Sequence, residues 1–169
     1  MIKIVFTGPE SSGKSILSST ISKKINAPLI KEYARDYLNK LNRDYKYSDL
    51  LKIAKGQLKL EEACINQKNK PKIMICDTNL QVIRIWSQIK YSRCDPFILE
   101  NEDNKAYYVL CKPDFKWEYD PLRENKNNQM ELFEYYHQDL IEKNRKFIIA
   151  DGSRKKRVSV LEKQILKMM

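Results

Sequence analysis

Gly8, Pro9, Glu10, Ser11, Ser12, Gly13, Lys14 and Ser15 set two glycines, a lysine and a hydroxyl at the spacing G-x-x-x-x-G-K-[ST]. Those types at that spacing suit the binding of a phosphate chain. Glycines 8 and 13 permit backbone angles and close approaches that a side chain would block. Successive N–H groups can then turn inward as a nest for anionic oxygens. A helix beginning near Gly13 adds unpaired N–H donors and the positive end of its dipole. Lys14 is expected to reach the β- and γ-phosphates of ATP, and Ser15 to offer its hydroxyl to Mg²⁺. Glu10, Ser11, Ser12 and Ile16 complete the predicted nucleotide-binding set.

Three further groups suit the same chemistry. Asp77 closes the apolar run Ile73, Met74, Ile75, Cys76. A carboxylate there fits the shell of Mg²⁺, or a base for an acceptor hydroxyl, or a strand-end cap. Glu32 and Arg35 lie three residues apart on one helical face. They are expected to hold sugar hydroxyls and a phosphoryl oxygen, the alternative being a surface ion pair. The polar stretch 112–128 carries two prolines. Loops of that length within a compact domain are functional or disordered. This one reads as a lid that excludes water and delivers Arg123 to developing charge. Trp117, in the same stretch, would clasp a base or pack the lid shut. Asp151 and Gly152, with Arg157 further on, would approach adenine or simply turn the chain. His137 and Trp86 read as packing residues.

These groups need elements to hold them. Short apolar runs predict strands at 2–7, 27–30, 72–77, 107–111 and 147–150. Helical spacing predicts helices at 16–25, 32–41, 49–66 with Ser48 as cap, 80–90, 96–102, 129–143 and 158–169. Strands alternating with helices imply right-handed β-α units and a parallel sheet covered on both faces. The expected architecture is therefore an α/β three-layer sandwich around a five-stranded parallel sheet, forming one domain over residues 1–169. Ligands in such sheets sit at the carboxyl ends of the strands, where these groups fall.

Composition narrows the choices. A hydrophobic content of 42% over 169 residues supports one globular core. No apolar run approaches a membrane span, and no signal peptide is read at the N-terminus, so the cytoplasm is the expected location. Cys64, Cys76, Cys94 and Cys111 form no C-x-x-C pair, and reduced thiols are expected rather than zinc ligands. The net charge of +10 admits a polyanionic partner. The one tight basic cluster, Arg154, Lys155, Lys156 and Arg157, lacks interleaved aromatics, which puts nucleic-acid binding behind phosphate chemistry and a solvated surface.

Five segments in order carry a resemblance: G-P-E-S-S-G-K-S (8–15), E-Y-A-R-D-Y-L (32–38), D-L-L-K-I-A-K-G-Q (49–57), I-C-D-T-N (75–79) and P-D-F-K-W-E-Y-D-P-L-R-E-N (113–125). Together they resemble the ribosylnicotinamide kinase domain of NadR-type proteins and the stand-alone NadR-like ATPase/kinases. The resemblance implies an adenylate-kinase-like P-loop NTPase with a short lid, transferring the γ-phosphate of ATP to the 5′-hydroxyl of nicotinamide riboside. It implies that Lys14 and Ser15 hold ATP and Mg²⁺, and that Asp77 serves Mg²⁺ or the acceptor hydroxyl. Glu32 and Arg35 would border the acceptor pocket, and Arg123 would be the lid arginine. Four positions depart from that pattern. Lys31 replaces a Trp and Lys59 a Tyr of an aromatic cage; Asn79 replaces an Asp, and Gln129 stands near a second lid arginine. Three readings follow: a kinase for a riboside or nucleoside, a regulatory ATPase without a small acceptor, and a polynucleotide 5′-kinase.

Overall fold

The first strand has no solvent-facing side. In β1 (Ile2–Thr7), Ile4 and Phe6 join the core on one side of the sheet and Val5 joins the core on the other, all fully buried. Such a strand needs cover on both sides. The computed structural model, which describes residues 1–124 and 127–168, supplies it. The loop leads into α1 (Lys14–Lys24), β2 (Leu29–Ile30), α2 (Tyr33–Asn39), α3 (Tyr47–Ile65) and β3 (Ile73–Asp77). There follow α4 (Leu80–Tyr91), α5 (Pro96–Glu100), β4 (Tyr107–Cys111), α6 (Gln129–Glu142), β5 (Lys146–Ala150) and α7 (Arg154–Leu166). All strand pairs are parallel, in the order β2-β3-β1-β4-β5, with β1 central. Leu17 and Ile21 of α1 and Leu161 and Ile165 of α7 cover one face; Ile85 of α4 and Phe133, Tyr136 and Leu140 of α6 cover the other. The expected three-layer α/β sandwich is therefore the observed one.

Two helix starts differ from the expectation. Helix α3 begins at Tyr47, two residues ahead of the expected 49, because the Asp49 carboxylate reaches back to accept the Lys46 N–H at 2.8 Å. Helix α7 begins at Arg154 rather than 158, capped by the Ser153 hydroxyl, which accepts the Lys156 N–H at 3.3 Å. The basic residues of that first turn oppose the helix dipole and mask the start that Ser153 signals. The predicted helix end at Met169, and Asn125 and Lys126 of the predicted lid, lie outside the described residues.

Helices α2 to α5 form a satellite core beside the sheet, built on Ala34, Leu50, Ile53, Ala54, Leu80, Ile83 and Ile98. Two features of α3 set the position of α2. Gly56 lies against Tyr33, whose ring would stand 2.1 Å from any added Cβ. The neighbouring Gln57, 1% exposed, accepts the Tyr33 N–H at 3.0 Å and so caps α2 from outside. The G-Q pair of the 49–57 segment thereby places Glu32 and Arg35.

Asp49 locks the joint between α2 and α3. Its buried carboxylate takes two hydrogen bonds from Arg43, at 2.7 and 2.9 Å, and one from the Tyr37 hydroxyl at 2.8 Å. The Arg43 bonds, with the Lys46 N–H and Tyr37, hold its pKa well below the usual 3.8 despite burial. A depressed carboxylate stabilises the fold above its ordinary pKa, and that stability is lost as pH falls from there through the folded value. Asp49→Asn is expected to cost about 1–3 kcal/mol near neutral pH, with the gap closing in acid. Urea midpoints of both proteins between about pH 7 and about pH 3 check it; a constant gap would refute the assignment.

Candidate active site

The loop after β1 is held in a strained form from two sides. Gly8 has φ 122°, and a Cβ there would stand 2.7 Å from the Cys111 carbonyl of β4. Gly13 has φ 85°, and a Cβ there would meet the Phe115 ring at 3.0 Å. Ser11, between them, is also left-handed, with φ 56°. Positive-φ residues in sequence are what an anion nest requires. The Lys14 ammonium folds back on the loop, donating to the carbonyls of Gly8 at 2.9 Å and Pro9 at 2.6 Å. The Ser12 hydroxyl is buried without a partner.

Beside the loop, register pairs Asp77 of β3 with Phe6 of β1. Burial raises the Asp77 pKa, against a lowering hydrogen bond from Ser15 and the charges of Lys14 and Arg35. Its Oδ1 is buried with no partner among the described residues. Glu32, at the N-cap position of α2, is also raised, chiefly by burial and further by Asp77, while Lys14 and Arg35 pull it down. Asn79 has a structural use here: it caps α4 by accepting the Gln81 N–H at 3.0 Å and donates to the Tyr108 hydroxyl at 3.2 Å.

The described part of the lid segment, residues 112–124, lies across the loop. The Arg123 guanidinium donates to the Ser11 hydroxyl at 3.4 Å and the Glu118 carbonyl at 2.5 Å, and the Glu118 N–H reaches the same hydroxyl at 3.2 Å. Asp120 pairs with Arg35 at 2.9 Å, joining the segment to α2. Gln129, near the expected second arginine, donates to the Glu10 carbonyl at 2.7 Å. Trp117 packs edge-on against Tyr119 and does not line the cleft.

One cleft of about 230 Å³ joins these groups. The loop lines it with Glu10 to Ile16, beside Phe115, Arg154 and Arg157; Glu32, Arg35, Leu38, Trp86, Leu122 and Arg123 line it as well. Asp77, hydrogen-bonded by Ser15, and Gly8 do not line the cleft. Lys31 and Lys59 are exposed and do not line it either.

Two residues on the cleft wall take roles that sequence reasoning missed: Trp86 had no signal for its place, and Arg157, expected only near adenine or a turn, holds the loop itself. Trp86, read as core packing, lines the cleft. Arg157, 2% exposed, donates to four carbonyl or carboxylate groups: Gly152 at 2.9 Å, Ser12 at 2.9 Å, Lys112 at 2.8 Å and Asp114 at 3.1 Å. Its guanidinium also lies 4.5 Å from the Phe115 ring centroid. Its clue was a basic residue following Asp151 and Gly152, a signal shared with the solvated lysines around it.

The residues fit a phosphate chain with its magnesium. A hard cation takes oxygen ligands, and Ser15 with the unpartnered Asp77 Oδ1 offers two. The unpartnered Ser12 hydroxyl and the positive-φ loop offer donors to phosphate.

The sheet order, the glycine loop on the central strand and the carboxylate on its neighbour define a P-loop NTPase fold. Residues 3–157 match a family described as an AAA domain, and the chain belongs to that family. Among curated proteins no match is found. Among solved structures, the chain is similar to NadR protein in complex with NR, at a TM-score of 0.79 and 20% identity over 98% of this chain and 51% of that one. It is similar to NadR in complex with NAD and AMP-PNP, at 0.73 and 20% over 96% and 49%. Deoxyadenosine kinase from M. mycoides with dCMP and dCDP follows at 0.72 and 16%, over 98% and 100%. The chain thus spans about half the length of the NadR chains. Among the described residues, no helix is long and apolar enough to cross a membrane.

A raised carboxylate costs the empty fold stability at pH above its folded value. Stability from its protonated form is complete below 3.8 and lost as pH rises through the folded value. Asp77→Asn is expected to raise the thermal midpoint of the ligand-free protein by about 2–4 °C near neutral pH, and by less as pH falls. Adding Mg²⁺ and ATP should stabilise the parent more than the variant. Thermal melts across pH check both; equal midpoints throughout would remove the assignment.

Proposed function

We propose that this chain is an ATP-dependent phosphotransferase acting on the 5′-hydroxyl of a riboside or nucleoside, with nicotinamide riboside the first candidate. The carrying observation is that the cleft lined by the phosphate-binding loop is also lined by Glu32, Arg35, Leu38 and Trp86, and we read that side as an acceptor slot. An enzyme that only hydrolysed ATP would have no use for that slot. The NadR structure with NR and the deoxyadenosine kinase structure with dCMP support the substrate class. The four free cysteines support a cytoplasmic location.

Residues 112–128 act as the lid of a single domain spanning 1–169. ATP enters with its phosphates in the loop, releasing Lys14 from the Gly8 and Pro9 carbonyls. Ser15 and Asp77 would hold Mg²⁺, which when bound would neutralise charge on the phosphate chain. Glu32 faces the slot and takes the proton as the acceptor oxygen bonds to the γ-phosphorus and the bond to the β-phosphate oxygen breaks. ADP leaves, and Arg123 stabilises charge on the transferring group. Because burial raises Glu32, the acid limb of kcat/KM should lie above the ordinary glutamate value of 4.5.

A regulatory ATPase is favoured by one observation: Gln129 occupies the second lid-arginine position and is committed to the Glu10 carbonyl. The test is ADP release from ATP and Mg²⁺, without acceptor and then with nicotinamide riboside and a panel of nucleosides. Acceptor-dependent ADP with a phosphorylated product is expected. Lys14→Ala should abolish turnover, and Arg123→Ala should lower kcat by about 10²–10³ with little change in ATP affinity. No response to any acceptor, with ATP still bound, would transfer the assignment to the ATPase. Full turnover by Arg123→Ala would refute the lid role.

A further inference from the structure

Trp86 is not a free surface ring. Its Nε1–H donates to the Tyr45 hydroxyl at 2.9 Å, and the two rings meet edge-on with centroids 4.8 Å apart. The same hydroxyl accepts from the Lys90 ammonium at 2.5 Å and faces both carboxylate oxygens of Glu124, at 2.9 and 3.0 Å. A phenol has one proton to give and two lone pairs. Here Trp86 and Lys90 take the lone pairs and Glu124 takes the proton, so the bonding capacity of the group is filled. Burial pushes the Tyr45 pKa up to about 12, which keeps that proton in place. Lys90 closes the ring of contacts by pairing with Glu124 at 2.8 Å and lying 4.1 Å from the Tyr45 ring centroid.

Three elements meet at this hydroxyl: the α2–α3 connection through Tyr45, α4 through Trp86 and Lys90, and the lid through Glu124. Glu124 also reaches the phosphate-binding loop, its N–H donating to Glu10 Oε1 at 3.1 Å. Its chain neighbour is Arg123, aimed at Ser11. One polar junction thus links a ring on the cleft wall to the arginine over the loop.

We infer that Trp86 is the ring-binding wall of the acceptor slot and that Tyr45 and Glu124 latch the lid to it, so that lid closure senses the acceptor ring. The inference rests on the kinase reading above, and assigns to α4 the aromatic surface that Lys31 and Lys59 do not supply. A planar ring stacks on the indole face between Leu38 and Leu122, which line the slot with it. The fixed indole then holds Tyr45, and Tyr45 holds Glu124, in the position that brings Arg123 over the phosphates. Without an aromatic acceptor the wall and latch are free to separate, and Arg123 is less often in place. Acceptors lacking a ring are therefore poor substrates through kcat as well as KM.

The chain has two tryptophans, Trp86 and Trp117. In a Trp117→Phe protein the emission reports Trp86 alone, and titration with nicotinamide riboside and nucleosides reads stacking directly. Saturable quenching at concentrations near the acceptor KM is expected. Trp86→Leu should raise acceptor KM by about tenfold or more, since base–aromatic stacking is worth about 1–3 kcal/mol, and Trp86→Phe should recover most of it. Tyr45→Phe and Glu124→Gln, which keep size and shape, should each lower acceptor-dependent kcat several-fold with ATP affinity preserved. Their double variant should lose no more than the worse single one, as members of one junction do. If acceptor-dependent ADP release proceeds while Trp86 emission stays unchanged, or the two latch variants act additively, this inference fails and the kinase reading stands. If no acceptor stimulates ADP release in the parent protein, both fail together.

Discussion

A loop that turns its N–H groups toward an anion leaves its carbonyls facing the protein, and each buried carbonyl needs a donor. The guanidinium of Arg157 answers part of that demand, at Ser12. Its rigid fork serves the carbonyls of Ser12, Lys112 and Gly152, and its Asp114 contact keeps the charge paired. Lys14 serves Gly8 and Pro9 until a phosphate claims it. A lysine could not replace Arg157, because a single ammonium lacks the planar fork that reaches three directions at once. The loop, the start of the 112–128 segment and the turn after β5 therefore share one fixed point. The Phe115 ring lies on Gly13 and against the same guanidinium.

Behind the loop a second polar chain carries the same rigidity through the core. The Thr7 hydroxyl, at the end of β1, donates to Gln81 at 2.8 Å, and Gln81 donates to Asp139 at 2.9 Å. Asp139 pairs with Arg84 at 2.7 Å, and Arg84 also pairs with Glu102, which takes Arg145 at 3.2 Å. These groups are nearly all buried. Unpaired they would be costly, whereas a paired and hydrogen-bonded network fixes one arrangement of the elements that contribute to it. The chain joins β1 and α4 to α6, so both ends of the 112–128 segment are tied to the strand that carries the phosphate-binding loop.

The site is assembled from contrasting environments. Asp49 and Asp77 are both buried carboxylates, yet their pKa values move in opposite directions. Asp49 has Arg43, Tyr37 and a backbone N–H to satisfy it, and it serves as a structural lock. Asp77 keeps an unpartnered oxygen, as expected of a position completed by a ligand.

Much of this was legible along the chain. The phosphate-binding loop, Asp77 and the five strands were readable because each is written in contiguous residues: a fixed motif, an apolar run, a helical repeat. Chain order even placed Glu32, Arg35 and Arg123 at the correct end of the sheet. Other assignments had no local signature. Arg157 looks like its neighbours in a basic cluster until the fold buries it against the loop. Trp86 has the spacing of a core residue, and only the packing of α2 and α4 on α3 brings it to the cleft wall. Tyr45, Lys90 and Glu124 are far apart in sequence, and nothing along the chain sets Tyr33 against Gly56. Backbone geometry and side-chain periodicity are local properties and are encoded locally. The partner of a buried charge, or the wall of a slot, is chosen by which distant segments the sheet order brings within hydrogen-bonding reach.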